Sequence, residues 1–299
     1  MSKTEGFITD IQRFSLHDGP GIRTTVFMGG CNLRCAWCHN PETNLPGRQW
    51  QYLQSRCIGC GACVQACPQA ALRQTPTGVA RDAGACRLCG SCAEACWPGA
   101  ICLVGRQEKA EGLLELLLRD APFYEQGGGV TFSGGEPLLQ APFVAGVLAA
   151  LRGQGIHTAV DTAGNVPWQS FEAVLPHTGL FLYDIKAVDP GVHARFTGVD
   201  NSLILENLKR LAAAGARLWV RLPLVHGVND DEKNLEKTAG LLAGLAGVEQ
   251  VDILPYHDYG RYKAGGLAFQ VQAFTPPTAE ALEYARRLLE ARGLKTVIR

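Results

Sequence analysis

The 299-residue sequence has no excess of charge of either sign, because 28 lysines and arginines balance 28 aspartates and glutamates. A neutral chain has no bulk attraction for nucleic acid or for an anionic membrane. No apolar run approaches the roughly 18–20 residues that span a bilayer, and the first residues lack the basic and apolar segments of a secretory signal. We therefore expect a cytoplasmic protein that binds neither nucleic acid nor membrane.

The sequence also has no cysteine after Cys102, although it contains 12 in total. That number is too small for a disulfide scaffold in a chain of this length, and thiols stay reduced in the cytoplasm. Their close spacing between Cys31 and Cys102 favours metal ligation instead. The hydrophobic share of 46% and the charged share of 19% are those of a globular protein, which excludes wholesale disorder.

Eight of the cysteines form two runs with the same spacing, C-x2-C-x2-C-x3-C, and every position of the first run recurs 29 residues later. The runs are Cys57, Cys60, Cys63, Cys67 and Cys86, Cys89, Cys92, Cys96. We expect this repeat to form an inserted module over residues 48–105. The flanking residues 1–47 and 106–299 would then make up one larger domain.

In bacterial ferredoxins a run of this kind supplies three thiolates to one [4Fe–4S] cluster and the fourth to its neighbour. The runs therefore predict two clusters with crossed ligand sets, Cys57, Cys60, Cys63, Cys96 and Cys86, Cys89, Cys92, Cys67. Structural zinc also uses four cysteines and is the alternative, although zinc does not require this crossed spacing.

Two residues of this region fall outside the repeated pattern. Trp97 separates Cys96 from Pro98, where the first run has proline directly after its last cysteine. We expect Trp97 to pack over a cluster. Cys102 is surplus to both runs, and a free cysteine usually behaves as a small buried hydrophobe.

Outside the repeat, short apolar runs alternate with helical patterns, which indicates a parallel α/β sheet or barrel. The predicted strands cover residues 25–28, 129–132, 157–161, 180–184, 218–222 and 251–254. The predicted helices cover residues 108–119, 137–152, 201–214, 231–246 and 277–292. Six strands are too few for an eight-stranded barrel, so the fold class is α/β with a partial (β/α)6 barrel and an inserted ferredoxin-like domain.

Polar residues gather where these strands end, and the active sites of parallel barrels lie at the carboxyl ends of their strands. They are the 133–136 segment SGGE, Asp161 and Thr162, the 184–186 segment DIK, Arg221, and His257. A third group of cysteines follows the first of these strands. We expect all of these groups to converge on one mouth.

This third group is the triplet C-x3-C-x2-C, made of Cys31, Cys35 and Cys38. Three cysteines cannot saturate the four irons of a cubane, so one iron stays open, as a catalytic metal site requires. The open iron can chelate the amino and carboxylate groups of S-adenosylmethionine. Electron transfer can then release a deoxyadenosyl radical, a known use of S-adenosylmethionine with iron–sulfur clusters.

The triplet and its surroundings resemble the radical S-adenosylmethionine superfamily, and within it the activating enzymes of glycyl radical enzymes, over essentially the whole chain. The matching stretches are DGPGIR at 18–23, CHNPE at 38–42, GGVTFSGGE at 128–136, GIHT at 155–158, DTAG at 161–164, DIK at 184–186 and LPYHDYG at 254–260. The repeat resembles the subgroup that carries a two-cluster insert.

The resemblance implies a role for each matching residue. The catalytic cluster would be held by Cys31, Cys35 and Cys38, and Lys186 would also act in catalysis. S-adenosylmethionine would contact Trp37, Cys38, His39, Gly134, Gly135, Asp161, Asp184, Ile185, Lys186, Arg221 and His257. A monovalent cation would sit between Asp161 and Asp184. Leu182 replaces a family methionine that acts through its backbone.

Two polar residues have alternative interpretations. Glu136 either bonds backbone to brace the Gly134–Gly135 turn or touches the ligand. His157 is interpreted as a core histidine whose hydrogen bonds are satisfied.

The resemblance implies an enzyme with three [4Fe–4S] clusters that cleaves S-adenosylmethionine in an anaerobic setting. The radical removes a hydrogen from a backbone glycine of a partner glycyl radical enzyme. A low-potential donor such as flavodoxin or ferredoxin would supply electrons, and the insert would serve as relay or as docking site. The alternatives are a radical enzyme with another protein or small molecule as substrate, and an electron-transfer protein without catalysis.

Overall fold

The computed structural model describes residues 4–124, 127–267 and 271–299. The strands in this part of the chain are β1 (Glu5–Ser15), β2 (Arg23–Met28), β3 (Gln49–Tyr52), β4 (Leu72–Thr75), β5 (Gly78–Arg81), β6 (Ile101–Val104), β7 (Arg106–Lys109), β8 (Gly129–Gly134), β9 (His157–Thr162), β10 (Leu180–Asp184), β11 (Leu218–Leu224), β12 (Val248–Pro255) and β13 (Thr296–Ile298).

The α-helices are α1 (Ala62–Gln65), α2 (Ser91–Glu94), α3 (Ala110–Leu118), α4 (Ala141–Gly153), α5 (Trp168–Val174), α6 (Pro190–Thr197), α7 (Ser202–Ala213), α8 (Glu232–Ala243), α9 (Tyr259–Gly265) and α10 (Ala279–Glu290). Short 3-10 turns cover Pro41–Thr43, Gln54–Arg56, Ala121–Phe123, Pro137–Gln140 and Leu175–His177. In the part of the chain described, no helix is long and apolar enough to cross a membrane.

Nine strands form one sheet in the order β13-β12-β11-β10-β9-β8-β2-β1-β7. The pairs from β2 to β13 are parallel, and β1 pairs antiparallel with both β2 and β7. The six predicted strands correspond to β2 and β8–β12, which confirms the α/β fold of the predicted partial barrel. Sequence analysis missed β1, β7 and β13, of which β7 is the exposed polar segment RQEK.

All five predicted helices are present, as α3, α4, α7, α8 and α10, and they bury one apolar face each against the sheet. In α7 that face consists of Ile204, Leu208 and Leu211 together with Asn207. The Asn207 side chain donates to the carbonyls of Gly164 and Val166, which holds the loop after β9 in place. The helices thus fix the strand ends where the polar residues lie.

The segment that contains the cysteine repeat forms two small antiparallel sheets, β3 with β6 and the hairpin β4 with β5, around an apolar cluster of its own. The 29-residue repeat persists in the backbone, because α1 and α2 occupy matching positions and each follows a left-handed glycine, Gly61 or Gly90. The repeat also accounts for two residues other than glycine whose backbone is in the left-handed region. Ala70 and Leu88 have positive φ at positions whose repeat counterparts are glycines, Gly99 and Gly59.

Candidate active site

A cavity at the carboxyl ends of the parallel strands brings together most of the residues predicted from sequence. Its lining includes Cys31, Cys35, Trp37, Cys38, His39, Gly134, Gly135, Asp161, Asp184, Lys186 and Arg221. These residues come from the loop after β2 and from the ends of β8, β9, β10 and β11. Parallel strands place their carboxyl ends at one edge, so residues distant in sequence meet here.

Backbone hydrogen bonds hold the cysteine loop on both sides. The amide of Cys31 donates to the Asn44 carbonyl, and the amide of Arg34 donates to the Thr197 carbonyl at the end of α6. Burial raises the pKa of the Cys31 and Cys35 thiols to about 12. Iron binds thiolates, so loading a cluster at these thiols requires that they release protons.

Two groups of paired charges, each a cationic side chain beside aspartate, face the cysteines. The Lys186 Nζ lies 2.6 Å from an Asp184 carboxylate oxygen, and the Arg221 guanidinium lies 2.9 Å from Asp161 and 3.7 Å from Asp18. Burial lowers the pKa of Lys186, but the negative charges of Asp184, Cys35 and Asp161 together outweigh burial, so the pKa is raised above its ordinary value. The lysine therefore remains charged beside Cys35.

The same network carries buried polar atoms that no described residue satisfies: Asp161 Oδ1, Asp184 Oδ1, Arg221 Nε and His39 Nε2. Buried polar atoms are nearly always paired, and unpaired ones at a cavity are the atoms a ligand would engage. Carboxylate oxygens suit ribose hydroxyls or a cation, and the positive Lys186 suits a carboxylate. The residues present thus fit an amino-acid nucleoside such as S-adenosylmethionine.

The Gly134–Gly135 turn closes the cavity beside β8. A side-chain carbon at Gly134 would lie 2.6 Å from the Met28 nitrogen, and one at Gly135 would lie 2.2 Å from the Gly30 oxygen. Gly134 also has a φ of 103°, in the region that favours glycine. Only glycine therefore permits this close approach of three backbone segments.

The Glu136 side chain stabilises this turn through hydrogen bonds. Its carboxylate is fully buried and accepts hydrogen bonds from the Thr162 hydroxyl and from the amides of Ala163 and Leu138. Burial raises its pKa to about 7, against the opposing effect of these donors. Of the two interpretations given by the sequence, the geometry favours the brace. It ties the glycine turn to the end of β9.

Two predicted nucleotide-binding residues lie outside the main cavity. The Ile185 side chain is 3% exposed and packs in the apolar core, and its amide donates to the Arg221 carbonyl. His257 is exposed and stacks on His39 with ring centroids 4.0 Å apart, in an open groove that adjoins the cavity. The histidine pair therefore marks the rim of the site.

His157 lies at the other end of the barrel, at the start of β9. Its Nδ1 is 3.3 Å from the buried Arg23 guanidinium. Arg23 also donates to Thr131 and to the Val130 carbonyl. Burial and the charge of Arg23 lower the His157 pKa to about 4, so it stays neutral. These contacts agree with its interpretation as a core histidine.

Sequence reasoning missed three contributors to the site. Asp18 reaches Arg221 from the loop between β1 and β2, although its DGPGIR stretch was recognised without a role. The Lys263 ammonium, on α9, bonds Asn40 Oδ1 and Glu42 Oε1 beside the cysteine loop. Gly260 of α9 lies so close to the Cys38 carbonyl that a side chain at Gly260 would collide with it, so α9 packs tightly against the cysteine loop. The matching stretch LPYHDYG ends at Gly260, but nothing in it predicts this contact.

The repeat contains two further cavities, and their linings match the crossed ligand sets. One is lined by Cys57, Cys60, Cys63 and Cys96, and the other by Cys67, Cys86, Cys89 and Cys92. Trp50 lines the second cavity and its buried Nε1 has no partner among the described residues. Such a donor suits a cluster sulfur, since hydrogen bonds to the sulfurs are a common means of tuning these clusters.

The prediction for Trp97 is wrong. This side chain is 96% exposed and does not pack over the cavity. Trp97 occupies the position that Pro68 has in the first run, and Pro98, one residue further on, lines the cavity instead. Cys102 is half-buried, its thiol donates to Gln51 Oε1 at 3.2 Å, and it lines neither of the two cavities.

Among the described residues, no three cysteine, histidine or acidic side chains are grouped so that they could hold a single metal ion. A tetrahedral zinc would draw four sulfurs to about 2.3 Å from one point. A [4Fe–4S] cubane does not require the four cysteine sulfurs to meet at one point, because each sulfur binds a different iron.

Family models agree with this geometry. The model described as the radical SAM superfamily matches residues 86–239, and the model described as the 4Fe-4S binding domain matches residues 51–73.

Curated relatives match over almost the full length. The trans-4-hydroxy-L-proline dehydratase activating enzyme of Clostridioides difficile is 41% identical, with 97% of this chain and 98% of that protein covered. The benzylsuccinate synthase activating enzyme of Thauera aromatica is 38% identical, with 97% and 92% covered. Both are named as activating enzymes.

Solved structures share the fold. A domain of the pyruvate-formate lyase-activating enzyme from Bacteroides vulgatus superposes with a TM-score of 0.51 at 38% identity, over 58% of this chain and 99% of that one. A radical SAM methyltransferase from Sphaerobacter thermophilus gives 0.56 at 17% identity, over 98% and 76%. The chain belongs to the radical S-adenosylmethionine superfamily and, within it, to the activating enzymes of glycyl radical enzymes.

Proposed function

We propose that this chain binds S-adenosylmethionine against a [4Fe–4S] cluster on Cys31, Cys35 and Cys38 and places a radical on a backbone glycine of its partner enzyme. The observation that carries this proposal is the cavity where the cysteines, the glycine turn and the ion-pair network face one another. A cluster held by Cys31, Cys35 and Cys38 would supply the one electron that divides S-adenosylmethionine into methionine and a 5′-deoxyadenosyl radical, and that radical would take a hydrogen atom from the glycine and leave as 5′-deoxyadenosine.

The residues of the chain would divide the work of binding. The Gly134–Gly135 turn exposes backbone to the amino group of the methionyl portion, and Lys186 offers its charge to the carboxylate. Asp161 and Arg221 hold the ribose side, with Asp184 completing the network. The roles of Asp161, Asp184 and Arg221 match unsatisfied atoms, that of the glycine turn matches a close backbone approach, and Lys186 lines the same cavity.

The proposal includes a monovalent cation between Asp161 and Asp184, because each aspartate has one unsatisfied carboxylate oxygen at the cavity. The test is S-adenosylmethionine cleavage in sodium, potassium and cation-depleted buffers. We expect activity to depend on the monovalent cation present. Equal activity with a bulky organic cation would contradict this part of the proposal.

The proposal further assigns residues 48–105 to an inserted module with two [4Fe–4S] clusters. The support is the agreement between the two cavities and the two crossed cysteine sets. Flavodoxin or ferredoxin would deliver electrons to the insert in the cytoplasm. Anaerobic reconstitution should give about 12 iron per chain, four for each cubane. Replacing Cys57, Cys60, Cys63 and Cys96 by alanine should remove about four, whereas removal of none would contradict the assignment.

The test of the radical transfer itself is electron paramagnetic resonance. Reconstituted, reduced protein and S-adenosylmethionine are incubated anaerobically with glycyl radical enzymes of the classes that the relatives serve. We expect a glycyl radical signal with the matching partner. A partner variant with alanine in place of the radical glycine is the control and should give no signal. Cleavage of S-adenosylmethionine without a radical on any of these enzymes would favour a different substrate.

A further inference from the structure

The two cysteine cavities of the repeat have different outer surfaces, although their ligand positions match. Beside the cavity of Cys57, Cys60, Cys63 and Cys96, Ile58 is 71% exposed and Trp97 is 96% exposed. Their counterparts 29 residues away in the repeat are Arg87 and Pro68, next to the other cavity. The repeat therefore carries an exposed apolar pair at one cluster position only.

Ile58 and Trp97 each directly follow a cysteine of this same ligand set, Cys57 or Cys96. Ile58 and Pro98 both line the cavity, so the apolar pair flanks its opening, and Cys60 is itself exposed there. A large apolar side chain in water gains free energy when a partner covers it, and tryptophan is among the residues that most often anchor interfaces. We call Ile58 and Trp97 the apolar pair.

The module that carries this surface has a positive net charge. Residues 48–105 contain the arginines Arg48, Arg56, Arg73, Arg81 and Arg87 against the acidic Asp82 and Glu94, in a chain whose net charge is zero. Arg56 lies beside the apolar pair, because a side chain at Gly99 would be 3.9 Å from its guanidinium. A positively charged module with an arginine beside its exposed apolar residues complements an acidic partner and speeds its approach.

We propose that the apolar pair and Arg56 form the docking surface for a small acidic electron-transfer protein. The proposal rests on the proposed function, and it makes the Cys57, Cys60, Cys63 and Cys96 cluster the first to accept an electron. The partner's reduced cofactor loses one electron and this cluster gains it, with no bond made or broken. A small contact suits the purpose, since redox encounters bury less than about 1,200 Å².

The glycyl radical enzyme is the other protein that this surface could meet. It has to present its glycine at the mouth of the barrel, where the cavity of Cys31, Cys35 and Cys38 opens. The apolar pair instead flanks a cavity whose lining residues all lie within 48–105. We therefore commit to the electron donor, and the test separates the two partners.

The experiment measures the rate at which flavodoxin, photoreduced under anaerobic conditions, reduces the iron–sulfur clusters of the full-length reconstituted protein by stopped flow. In Trp97→Ala we expect the second-order rate constant to fall at least about tenfold, the loss typical of an interface anchor. Ile58→Ala should lower it less. Arg56→Glu should lower it and weaken its salt dependence, because one attractive charge is reversed.

Pro68→Ala is the matched control, since Pro68 is the repeat counterpart of Trp97 and should leave the rate unchanged. Iron content and dithionite-driven cleavage of S-adenosylmethionine should be the same in all variants, because dithionite needs no docking surface. An unchanged rate with flavodoxin in Trp97→Ala would overturn the proposal. Equal losses with flavodoxin and dithionite would also overturn it, because they would show a damaged cluster.

A third outcome assigns the surface to the other partner. If Trp97→Ala accepts electrons from flavodoxin normally but forms less glycyl radical when dithionite is the reductant, the surface binds the glycyl radical enzyme and the proposal is wrong. Failure of the proposed function looks different. In that case the unsubstituted protein would not cleave S-adenosylmethionine with dithionite, whatever the rate of cluster reduction.

Discussion

At the scale of single residues, the site depends on buried carboxylates that are paired with positively charged side chains. Asp161 accepts from the Ser133 hydroxyl at 2.6 Å and from the Arg221 guanidinium at 2.9 Å, and its second oxygen faces the cavity. Burial raises the Asp161 pKa to about 6, although Arg221 opposes this shift. One carboxylate therefore orients the arginine and keeps an oxygen free for the ligand.

Asp161→Asn should weaken S-adenosylmethionine binding by at least about tenfold, because one lost charged hydrogen bond corresponds to roughly 1.5–3 kcal/mol. Iron content should not change, since Asp161 is not a cluster ligand. Equilibrium dialysis of the reconstituted protein measures the affinity. Glu249→Gln is the control, because Glu249 forms an exposed ion pair with Arg217 at the amino ends of β11 and β12, whereas the site lies at the carboxyl ends. Unchanged affinity in Asp161→Asn would contradict the proposed role.

Glu136 predicts a pH effect on stability. Its pKa is raised from 4.5 to about 7 in the folded protein, mainly by burial. The folded state thus holds this proton more tightly than the unfolded state. The contribution of Glu136 to the free energy of unfolding is complete below about pH 4.5 and is lost as the pH rises through about 7.

Glu136→Gln has no proton to lose, so its free energy of unfolding should decline less than that of the unsubstituted protein over this range. Denaturant unfolding at a series of pH values, done anaerobically, measures the difference. Parallel curves for the two proteins would show that Glu136 keeps an ordinary pKa.

At the scale of elements, the glycine turn after β8 is the part of the site most sensitive to backbone shape. The sequence pattern could identify it, because glycines at the end of a parallel strand point to a close approach. The pattern could not identify α9, whose contact with the cysteine loop depends on Gly260 packing at the Cys38 carbonyl. Nor could it identify β7, since its polar residues are ordered by pairing with β1.

Gly134→Ala should abolish tight binding of S-adenosylmethionine. A side chain at positive φ costs about 1–3 kcal/mol, and here it also meets the Met28 backbone. Isothermal titration calorimetry on the cluster-loaded protein measures the affinity. Gly153→Ala is the matched control, since a side chain at Gly153 would meet nothing within 4 Å. Equal affinity in both variants would show that the turn tolerates a side chain.

At the scale of the whole molecule, much of the organisation could be predicted from two regularities. Alternating strands and helices predicted the partial barrel, and the 29-residue offset revealed the internal repeat, whose two halves have matching helices α1 and α2 in the structure. The exposure of Trp97 could not be predicted, because it depends on which neighbour fills the cavity. The same holds for Asp18, which reaches Arg221 only through the folding of its loop.

The central claim is that Cys31, Cys35 and Cys38 hold the cluster at which S-adenosylmethionine is cleaved. The most direct test is 5′-deoxyadenosine formation by a variant with alanine at all three positions, reduced with dithionite under anaerobic conditions. We predict that the unsubstituted protein forms 5′-deoxyadenosine, and that the variant forms none while it keeps about eight of 12 irons. Retained cleavage in the triple variant would contradict the claim.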